Sequence, residues 1–430
     1  MFWELYLRSS RILQVLFVAV ALTAVAIDSR ASRGADFRVY YNAARVLIDH
    51  QGQLYGPLSG IGWPQYFRYP PFFLLIFLPF ALLPFKAAAA AWLALKCVVL
   101  YLLIRALARR LDFPSTGFWW LVPVLLCGSF LAQEFGLGNA QFLTFGLVAA
   151  SLLSLERHPS QAASLLAFAA SLKVWPLFFL PYMAARRHGR AALLTLGLIV
   201  ALALLPAAHF GWSGNIALLR QWSAQEWSTS GLGEDSWFPG QSLSDVLQRY
   251  LTRMDYSKWP DPNYPQVHFL RIDPDVVTWI WVLMAGSAYL GLLWLARRAS
   301  PTSSSGPPLL LTEALAFCAL PLLEPFAHRI AFVVFLWPAM VAGAALARPG
   351  FLPPRAKLLV WAAAAIEGIQ PLVPGAKMQR LFQVLGVDFW AACMLTAGLL
   401  LAWLQWWRMQ TQAAREASRA TASYQLSAGR

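Results

Sequence analysis

Long apolar runs, separated by short polar segments, recur along this chain from residue 12 to residue 407. A helix needs about 20 apolar residues to cross a hydrocarbon layer about 30 Å thick. The pattern therefore predicts an all-α polytopic membrane protein with about 12 transmembrane helices. The first of these covers residues 12–27, and we expect it to stay in the membrane uncleaved, although small residues follow its apolar run.

Two long stretches, residues 29–69 and 211–275, are too polar to lie inside the bilayer. Much of the basic charge lies elsewhere, in short segments between the apolar runs, and such segments face the cytoplasm. Counted from those segments, both polar stretches are exported loops. We predict one membrane domain over residues 1–410 and a polar cytoplasmic tail over residues 411–430, frayed or disordered.

The path of the chain between residues 70 and 186 has two solutions. Prolines interrupt the apolar segment that starts at residue 70, so this segment either crosses the membrane or turns back as a half-helix. If it crosses, Arg109 and Arg157 lie on the exported side, against the charge rule. If it turns back, the segments GLGNAQF and SLKVWP lie outside beside Asp36. The charges favour the second solution, and the helix count favours the first.

Composition narrows the class of protein further. Hydrophobic residues make up 59% of the 430 residues and charged residues 13%, a balance that soluble proteins do not approach. The net charge of +14 is common in nucleic-acid-binding chains. Here, however, much of the basic charge lies in short segments between apolar runs, which predicts the lipid bilayer as a partner and no nucleic acid. The four cysteines lie inside apolar runs without disulfide or zinc spacing, so we expect them to pack.

Ionisable side chains at the ends of apolar segments are costly and therefore mark candidate functional residues. Together those on the exported side supply a carboxylate and a histidine that could accept a proton, and cations that could stabilise a departing phosphate. They are Asp36, Arg68, Lys173, Glu324, His328 and Arg329.

Structural interpretations of these residues remain open on sequence alone. Asp36 is also a favoured N-cap for the helix that comes after it, whose apolar face would rest on the bilayer surface. Lys173 could extend its amine to the membrane interface. Arg329 could serve only to pair with Glu324.

Two further segments have competing interpretations. Asp273-Pro274-Asp275 spells a metal-binding pattern of nucleotide-sugar enzymes, but its place before an apolar run favours helix capping. Other metal motifs are absent, and we expect neither a metal nor a cofactor. The segment after Ser242 predicts an amphipathic helix, which either covers a site from the membrane surface or packs on the rest of its loop.

Several short motifs succeed one another in a fixed order: Asp36–Ala44, Leu54–Gly56, Tyr69–Pro71, Gly138–Phe142, Leu172–Leu177, Gly240–Leu247 and the Ala-His-Arg segment at His328. In this order they resemble glycosyltransferase family 87, from the first helix to about residue 338. The GNA and Lys-x-aromatic-Pro segments are also similar to those of the eukaryotic mannosyltransferase that acts first in glycosylphosphatidylinositol assembly.

The resemblance implies a GT-C fold and a glycosyltransferase that uses a polyprenyl-phosphate-sugar donor without a metal. It implies transfer of a hexose, with mannose the first expectation, to a lipid or glycan acceptor with inversion at the anomeric carbon. The site would face the periplasmic or extracellular side of a bacterial cytoplasmic membrane. The family's catalytic aspartate falls on Asp36 and its conserved histidine on His328. Its polar triplet falls on Gly240, Gln241 and Ser242.

In this scheme Asp36 accepts the proton of the acceptor hydroxyl, cations hold the phosphate, and His328 orients a substrate. The expected donor and substrate contacts are Arg68, Tyr69, Asn139, Gln141, Lys173, Gln241, Ser242, Glu324 and Arg329. The alternative is a transporter or flippase of a lipid-linked sugar. Such a protein would carry its charges at mid-membrane on broken helices, whereas these charges gather toward one face.

Overall fold

The computed structural model describes residues 34–49, 53–56, 66–114, 117–229, 240–258, 262–299 and 306–428. Within those ranges the chain forms α-helices joined by short 3-10 turns, without a β-strand. The predicted first helix and parts of both predicted loops lie outside the described residues. The helices are α1 (Ala35–Asp49), α2 (Pro71–Ala81), α3 (Phe85–Arg110), α4 (Leu121–Leu137), α5 (Gln141–Ser154), α6 (Pro159–Leu172), α7 (Phe179–Ala185), α8 (Gly189–Leu204), α9 (Ala207–Thr229), α10 (Leu243–Leu251), α11 (Pro274–Arg298), α12 (Pro307–Leu323), α13 (Leu336–Ala347), α14 (Pro354–Ile369), α15 (Ala376–Leu385) and α16 (Val387–Ala428).

Most of the long helices connect two ends of the bundle. The site end lies around Asp36, to which Asn139 donates a hydrogen bond from the turn after α4. The basic end lies around Glu313, which pairs with Arg110 and Arg186. Helix α3 joins the two ends, since its 26 residues span about 39 Å. The α4–α5 and α6–α7 connections, which carry GLGNAQF and SLKVWP, lie at the site end.

Helix α2 does not connect the two ends. The hydroxyl of Tyr69, just before α2, shares a hydrogen bond with that of Tyr40 in α1. The carbonyl of Leu83, just after α2, accepts a hydrogen bond from Tyr41 in the same helix. Because both ends of α2 lie against α1, the segment from residue 70 turns back. The placement of GLGNAQF and SLKVWP beside Asp36, which the charges favoured, is confirmed.

The core surrounds the segment from Arg329 through α13, which is buried along nearly its whole length. Helices α4, α5 and α12 pack around this segment, and α16 packs on α12 and α14. Trp337 is completely buried at its centre. Cys127 and Cys318 are buried in the surrounding helices, and all four cysteines are free, in agreement with a packing role.

Five helical segments of the described residues are long and apolar enough to cross a membrane. They begin at Phe85, Phe118, Pro274, Arg329 and Val387. A sixth is reached if α8 and α9, which meet at an angle of 96°, form one broken span. Other apolar helices are shorter. The class, a polytopic α-helical membrane protein, is therefore supported, and the count of about 12 stays a prediction.

Two polar segments are helical in the structure, and the exported position of residues 211–275 stays a prediction. Residues 211–229, assigned to an exported loop, form most of α9, and the break falls at Gly211, whose φ of 71° interrupts the helix. Residues 411–428, expected to be frayed, continue α16. Both segments are polar, but they consist largely of residues that tolerate a helix, and polarity alone does not exclude one.

The basic end is held by a buried ionic cluster. Glu313 is fully buried in α12 and lies 2.9 Å from the guanidinium groups of both Arg110 and Arg186. Arg186 also pairs with Glu156, which comes just after α5. The cluster therefore ties α3, α12 and the ends of α5 and α7 together.

We expect Glu313→Gln to lower the free energy of unfolding by about 3–5 kcal/mol, because Arg110 would lose its buried counter-charge and Arg186 would keep only Glu156. Denaturation in mixed micelles measures the change. The control is Asp49→Asn, since the side chain of Asp49 is 42% exposed in its pair with Arg45. That variant should lose less than about 1 kcal/mol. Equal losses in the two variants would contradict the assignment.

Candidate active site

Helix α1 places Asp36 at the site end. Its buried residues, Phe37, Val39, Tyr40, Ala43, Ala44 and Leu47, form the apolar face that the sequence predicts. This face packs on protein and not on the bilayer surface, because Phe37 and Tyr40 contact the rings of Phe77 in α2 and Trp92 in α3. Burial of this face fixes α1 and therefore the start of the helix, where Asp36 lies.

Asp36 lies in the first turn of α1, one residue after the helix begins. Its Oδ2 accepts a hydrogen bond of 2.7 Å from Nδ2 of Asn139. The structure therefore shows the carboxylate directed toward a side chain of another segment. Capping of α1 does not explain this position.

Asn139 connects Asp36 to a cation. While its Nδ2 donates to Asp36, its Oδ1 accepts from Nζ of Lys173 at 3.1 Å and from the backbone N–H of Gln141 at 2.8 Å. Nζ of Lys173 also donates to Oε1 of Gln141 at 2.8 Å. Of the predicted contacts, the structure therefore brings Asp36, Asn139, Gln141 and Lys173 into one hydrogen-bonded chain.

The turn from Gly138 to Gln141 is fixed from several directions. Gly138 has a φ of 69°, and a Cβ atom there would lie 2.7 Å from the Cβ atom of Phe37. The carbonyl of Gly138 accepts from Nε1 of Trp92, and the N–H of Ala140 donates to the hydroxyl of Tyr40. Only glycine combines this backbone conformation with such a close approach to α1.

Tyr69 forms one wall of the same site. Nζ of Lys173 lies 5.4 Å from the centroid of its ring, a cation–π distance. The carbonyl of Tyr69 accepts a hydrogen bond from the hydroxyl of Tyr55. Both residues belong to motifs recognised in the sequence, and here they build the wall beside the ammonium group.

Arg68 lies at the rim of the site. Its Nε is 3.3 Å from Oε1 of Glu226 in α9, and its guanidinium lies 5.8 Å from the centroid of the Phe326 ring. The side chain of Arg68 is 32% exposed in this position. It therefore connects α9 with the loop that carries Glu324 and His328.

That loop is held by the segment that opens α10. Ser242 caps α10 in a reciprocal pair with Asp245. Oδ2 of Asp245 accepts the N–H of Ala327 at 3.1 Å, and the N–H of Gln241 donates to the carbonyl of Ala327 at 2.7 Å. Gly240 is required because a Cβ atom there would overlap the Asp245 carboxylate. The triplet thus positions the loop before His328.

Gln241, Ser242 and α10 make their observed contacts with protein. The side-chain amide of Gln241 donates to the carbonyl of Gln383, and Arg249 and Tyr250 of α10 donate to carbonyls at the end of α15. Helix α10 also packs on α11. Of its two interpretations, packing on neighbouring protein is therefore the one that the structure supports.

Arg329 belongs to a neighbouring ionic cluster. Its Nε lies 2.8 Å from Oδ2 of Asp388, and its Nη2 donates to Oγ of Ser129 and Oε1 of Gln370. The ion pair proposed with Glu324 is therefore wrong, because Arg329 faces α4, α14 and α16. A role in holding phosphate is left to Arg68 and Lys173.

Burial changes the protonation of the site's ionisable groups. It raises the pKa of Asp36, while the Asn139 amide and the Lys173 charge oppose the rise. It lowers the pKa of Lys173 to about 8 and raises the pKa of Glu324 to about 8. The loss of water around His328 lowers the pKa of its imidazole. At neutral pH the Glu324 carboxyl is thus largely protonated and His328 largely neutral.

The metal-like sequence at Asp273 is a helix start. Oδ1 of Asp273 accepts the N–H of Asp275 at 2.8 Å, and Pro274 occupies the first position of α11. This confirms the capping interpretation. Elsewhere in the described part of the chain, no three His, Cys, Asp or Glu side chains are arranged to hold a metal ion. The expectation of a metal-free reaction stays a prediction.

Sequence reasoning missed three residues that support the site. Lys96 and Glu134 form a fully buried ion pair of 2.7 Å directly behind the Gly138 turn. A rule that flags every charge inside an apolar run would have found both. Asp245 would have been found from the Ser-x-x-acid pattern of a capping box, which predicts that its carboxylate faces Ser242.

Comparisons with known proteins match the part of the chain that contains most of the candidate site residues. The family model of glycosyltransferase family 87 matches residues 67–325. The chain is similar to a polyprenol-phosphate-mannose-dependent α-(1-2)-phosphatidylinositol mannoside mannosyltransferase of Mycolicibacterium smegmatis. The two are 26% identical over 284 residues, which cover 61% of this chain and 58% of the relative.

A protein of the same description from Mycobacterium tuberculosis is 28% identical over 189 residues, or 40% of this chain and 44% of the relative. A pentamannoside mannosyltransferase of M. tuberculosis, also described as polyprenol-phosphate-mannose-dependent, is 32% identical over 105 residues, or 24% of each chain. The chain therefore spans less than two thirds of the length of these curated relatives.

The range matched by the family model contains Arg68, Asn139, Lys173 and Glu324, and it ends shortly before His328. Asp36 precedes this range, and the hydrogen bond from Asn139 joins it to the matched part. The match covers more than half of the chain, so the protein belongs to glycosyltransferase family 87.

Proposed function

We propose that this protein is an integral-membrane inverting glycosyltransferase. It moves a hexose, with mannose as the first expectation, from a polyprenyl-phosphate donor to a hydroxyl of a lipid or glycan acceptor. The observation that carries the proposal is the hydrogen-bonded chain from the Asp36 carboxylate through Asn139 to the Lys173 ammonium. It joins a base and a cation for phosphate, the two groups that this reaction requires.

The reaction is a single displacement. The acceptor oxygen forms a bond with the anomeric carbon while the bond from that carbon to the phosphate oxygen breaks. The acceptor proton goes to Asp36, and the bonding electron pair leaves with polyprenyl phosphate. Attack opposite the leaving group inverts the anomeric carbon. A base whose pKa is raised toward neutrality accepts this proton more effectively than an exposed aspartate would.

Lys173 and Arg68 supply the positive charge for the leaving phosphate. The Lys173 ammonium already donates hydrogen bonds to Asn139 and Gln141, so the position of its charge is fixed before the reaction begins. Glu324, when protonated, adds no negative charge against the phosphate and offers an O–H donor. With these groups in place, we propose that the enzyme uses neither a metal nor a cofactor.

His328 orients donor or acceptor in this proposal. The pKa of its imidazole is affected by Asp245, Arg68, Asp36 and Lys173, all of which are charged groups near it. A largely neutral imidazole offers one donor and one acceptor to sugar hydroxyls. The loop before His328 is fixed by Asp245, which keeps the ring at the site end.

The site end faces the exported side of a bacterial cytoplasmic membrane in this proposal. The opposite end carries Arg110 and Arg186 in its ionic cluster, Arg298 against Trp407, and Arg348 bonded to the carbonyl of Leu111. Segments rich in arginine remain in the cytoplasm. About 12 crossings in a GT-C arrangement are part of this proposal, and the five or six candidate spans of the described residues support a polytopic protein.

The first reaction to test uses labelled polyprenyl-phosphate-mannose and phosphatidylinositol mannoside, the acceptor in the names of the relatives. Purified protein in lipid nanodiscs should give a mannosylated lipid and free polyprenyl phosphate. In sealed vesicles, movement of the intact donor between leaflets without cleavage would overturn the proposal in favour of a flippase.

We expect Asp36→Asn to lower the rate of transfer by about 10²–10⁴-fold, because the amide cannot accept the acceptor proton. The same radiolabel assay measures it. Asp49→Asn, at the other end of α1 and exposed, is the matched control and should keep the wild-type rate. Normal transfer by folded Asp36→Asn would refute its role as the base.

The rate should also depend on pH in a bell shape. It rises as Asp36 loses its proton, at a pH above that of an ordinary aspartate, because burial raises its pKa. It falls as Lys173 loses its proton at a pKa of about 8, since the neutral amine no longer attracts phosphate. In Lys173→Arg the alkaline fall should move to higher pH, because guanidinium stays charged.

The control for this measurement is Lys86→Arg at the exposed start of α3. This variant should leave the pH profile unchanged. An alkaline limb that stays in place in Lys173→Arg would show that another group titrates there.

A further inference from the structure

A lysine and a glutamate form an ion pair inside the helical bundle, away from any charged surface. Nζ of Lys96 in α3 lies 2.7 Å from Oε2 of Glu134 in α4, and both side chains are fully buried. The ring of Phe135 lies 4.7 Å from the same ammonium group. Removing two charges from water costs more than an apolar pair of similar size would. The position of the pair therefore requires an explanation.

Hydrogen bonds of Glu134 lead from the pair to one turn. Oε1 of Glu134 accepts the N–H of Phe142 at 3.0 Å. The carbonyl of Glu134 accepts the N–H of Asn139 at 3.2 Å and Nζ of Lys96 at 3.1 Å. Glu134 thus holds the turn from Gly138 to Gln141 at both of its ends. Lys96 in turn holds both the carboxylate and the carbonyl of Glu134.

The side chain of Asn139 can perform its two tasks in one orientation only. Its Nδ2 faces the Asp36 carboxylate, and its Oδ1 faces the Lys173 ammonium and the N–H of Gln141. If the amide turned over, its N–H donors would face the ammonium and its oxygen would face the carboxylate. A shift of the turn would therefore break several bonds together, and those bonds all involve groups of the site.

We propose that the Lys96–Glu134 pair positions the catalytic base by fixing Asn139 between Asp36 and Lys173. The inference rests on the proposed function and adds Lys96 and Glu134 to it as positioning residues. Neither residue contacts the reacting atoms. They act through the backbone of residues 139–142, whose other side is blocked by the contact of Gly138 with Phe37.

The competing explanation is that the pair only ties α3 to α4. The Arg110–Glu313 pair at the basic end is such a tie, since it joins helices far from Asp36 and has no contact with the Gly138 turn. An ion pair that only joins two helices affects stability alone. A positioning pair also affects the geometry and protonation of Asp36.

The decisive variant is K96M/E134Q. It removes both charges together, so no buried charge is left unpaired, and it keeps the approximate size of both side chains. We expect it to fold, with kcat lowered by about 10–100-fold, since small misplacement of a reacting group has an effect of this size. KM for polyprenyl-phosphate-mannose should change less than about threefold, because Lys173 and Arg68 remain.

The pH profile separates positioning from stability. Loss of the Asn139 donor and of the Lys96 charge removes two interactions that lower the pKa of Asp36. The acid limb of the rate profile should therefore move to higher pH in K96M/E134Q. In a protein that already carries N139A, only the part due to the Lys96 charge should remain. Glu313→Gln, the matched control at the basic end, should be less stable but keep the kcat and pH profile of the folded protein.

A mutant cycle with Asn139→Ala tests whether the pair acts through Asn139. If it does, the triple variant K96M/E134Q/N139A loses no more activity than N139A alone. Additive losses, or a folded K96M/E134Q with wild-type kcat and acid limb, would overturn the proposal and leave the pair as a tie.

Hydrogen–deuterium exchange tests the positioning without reference to sugar transfer. Amides of residues 137–142 should exchange faster in K96M/E134Q than in the wild type, while those of α16 should not change. Unchanged exchange in 137–142 would overturn the inference even if activity fell. If the wild type transfers no sugar from the labelled donor, the proposed function fails and the exchange result still decides whether the pair positions Asn139.

Discussion

One side-chain amide holds opposite charges together at the site end. Asn139 donates to the Asp36 carboxylate and accepts from the Lys173 ammonium, so the base and the cation are connected without a direct ion pair. A direct pair would neutralise both groups. In the proposed reaction, the amide between them allows Asp36 to accept a proton while Lys173 keeps its charge for phosphate. The site therefore depends on where Asn139 lies, which α1, α4 and the Gly138 turn determine.

The two ends of the bundle use charge in different ways. At the basic end, Glu313 satisfies two arginines, and the cluster joins helices without leaving a reactive group. At the site end Asp36 and Lys173 share a neutral partner, Asn139, and burial moves the pKa values of Lys173 and Glu324 to about 8. Groups that are near their titration points can exchange protons with a substrate.

Periodicity and local chemistry were enough to predict several features of the fold and the site. The buried face of α1, the capping role of Asp273 and the grouping of Asp36, Asn139 and Lys173 at one end are all found in the structure. Of the two paths left open after residue 70, the structure agrees with the one that the charges favoured and that brings GLGNAQF beside Asp36. The differences depend on the tertiary structure: the polar residues 211–229 are helical, and Arg329 pairs with Asp388, far along the chain, and not with Glu324.

Partners that are distant in sequence also explain why Lys96 and Glu134 were not predicted as site residues. Each is one charge in an apolar helix, and neither has a nearby partner in sequence, so the pair exists only once α3 and α4 are side by side. A sequence motif marks the Gly138 turn because its residues bond to Asp36 and Lys173, which belong to motifs of their own. The support behind it leaves no local pattern, because any arrangement that fixes Glu134 would serve. A buried charge that neither binds substrate nor reaches water is therefore best understood by tracing its hydrogen bonds, which here end at Asn139 and the base.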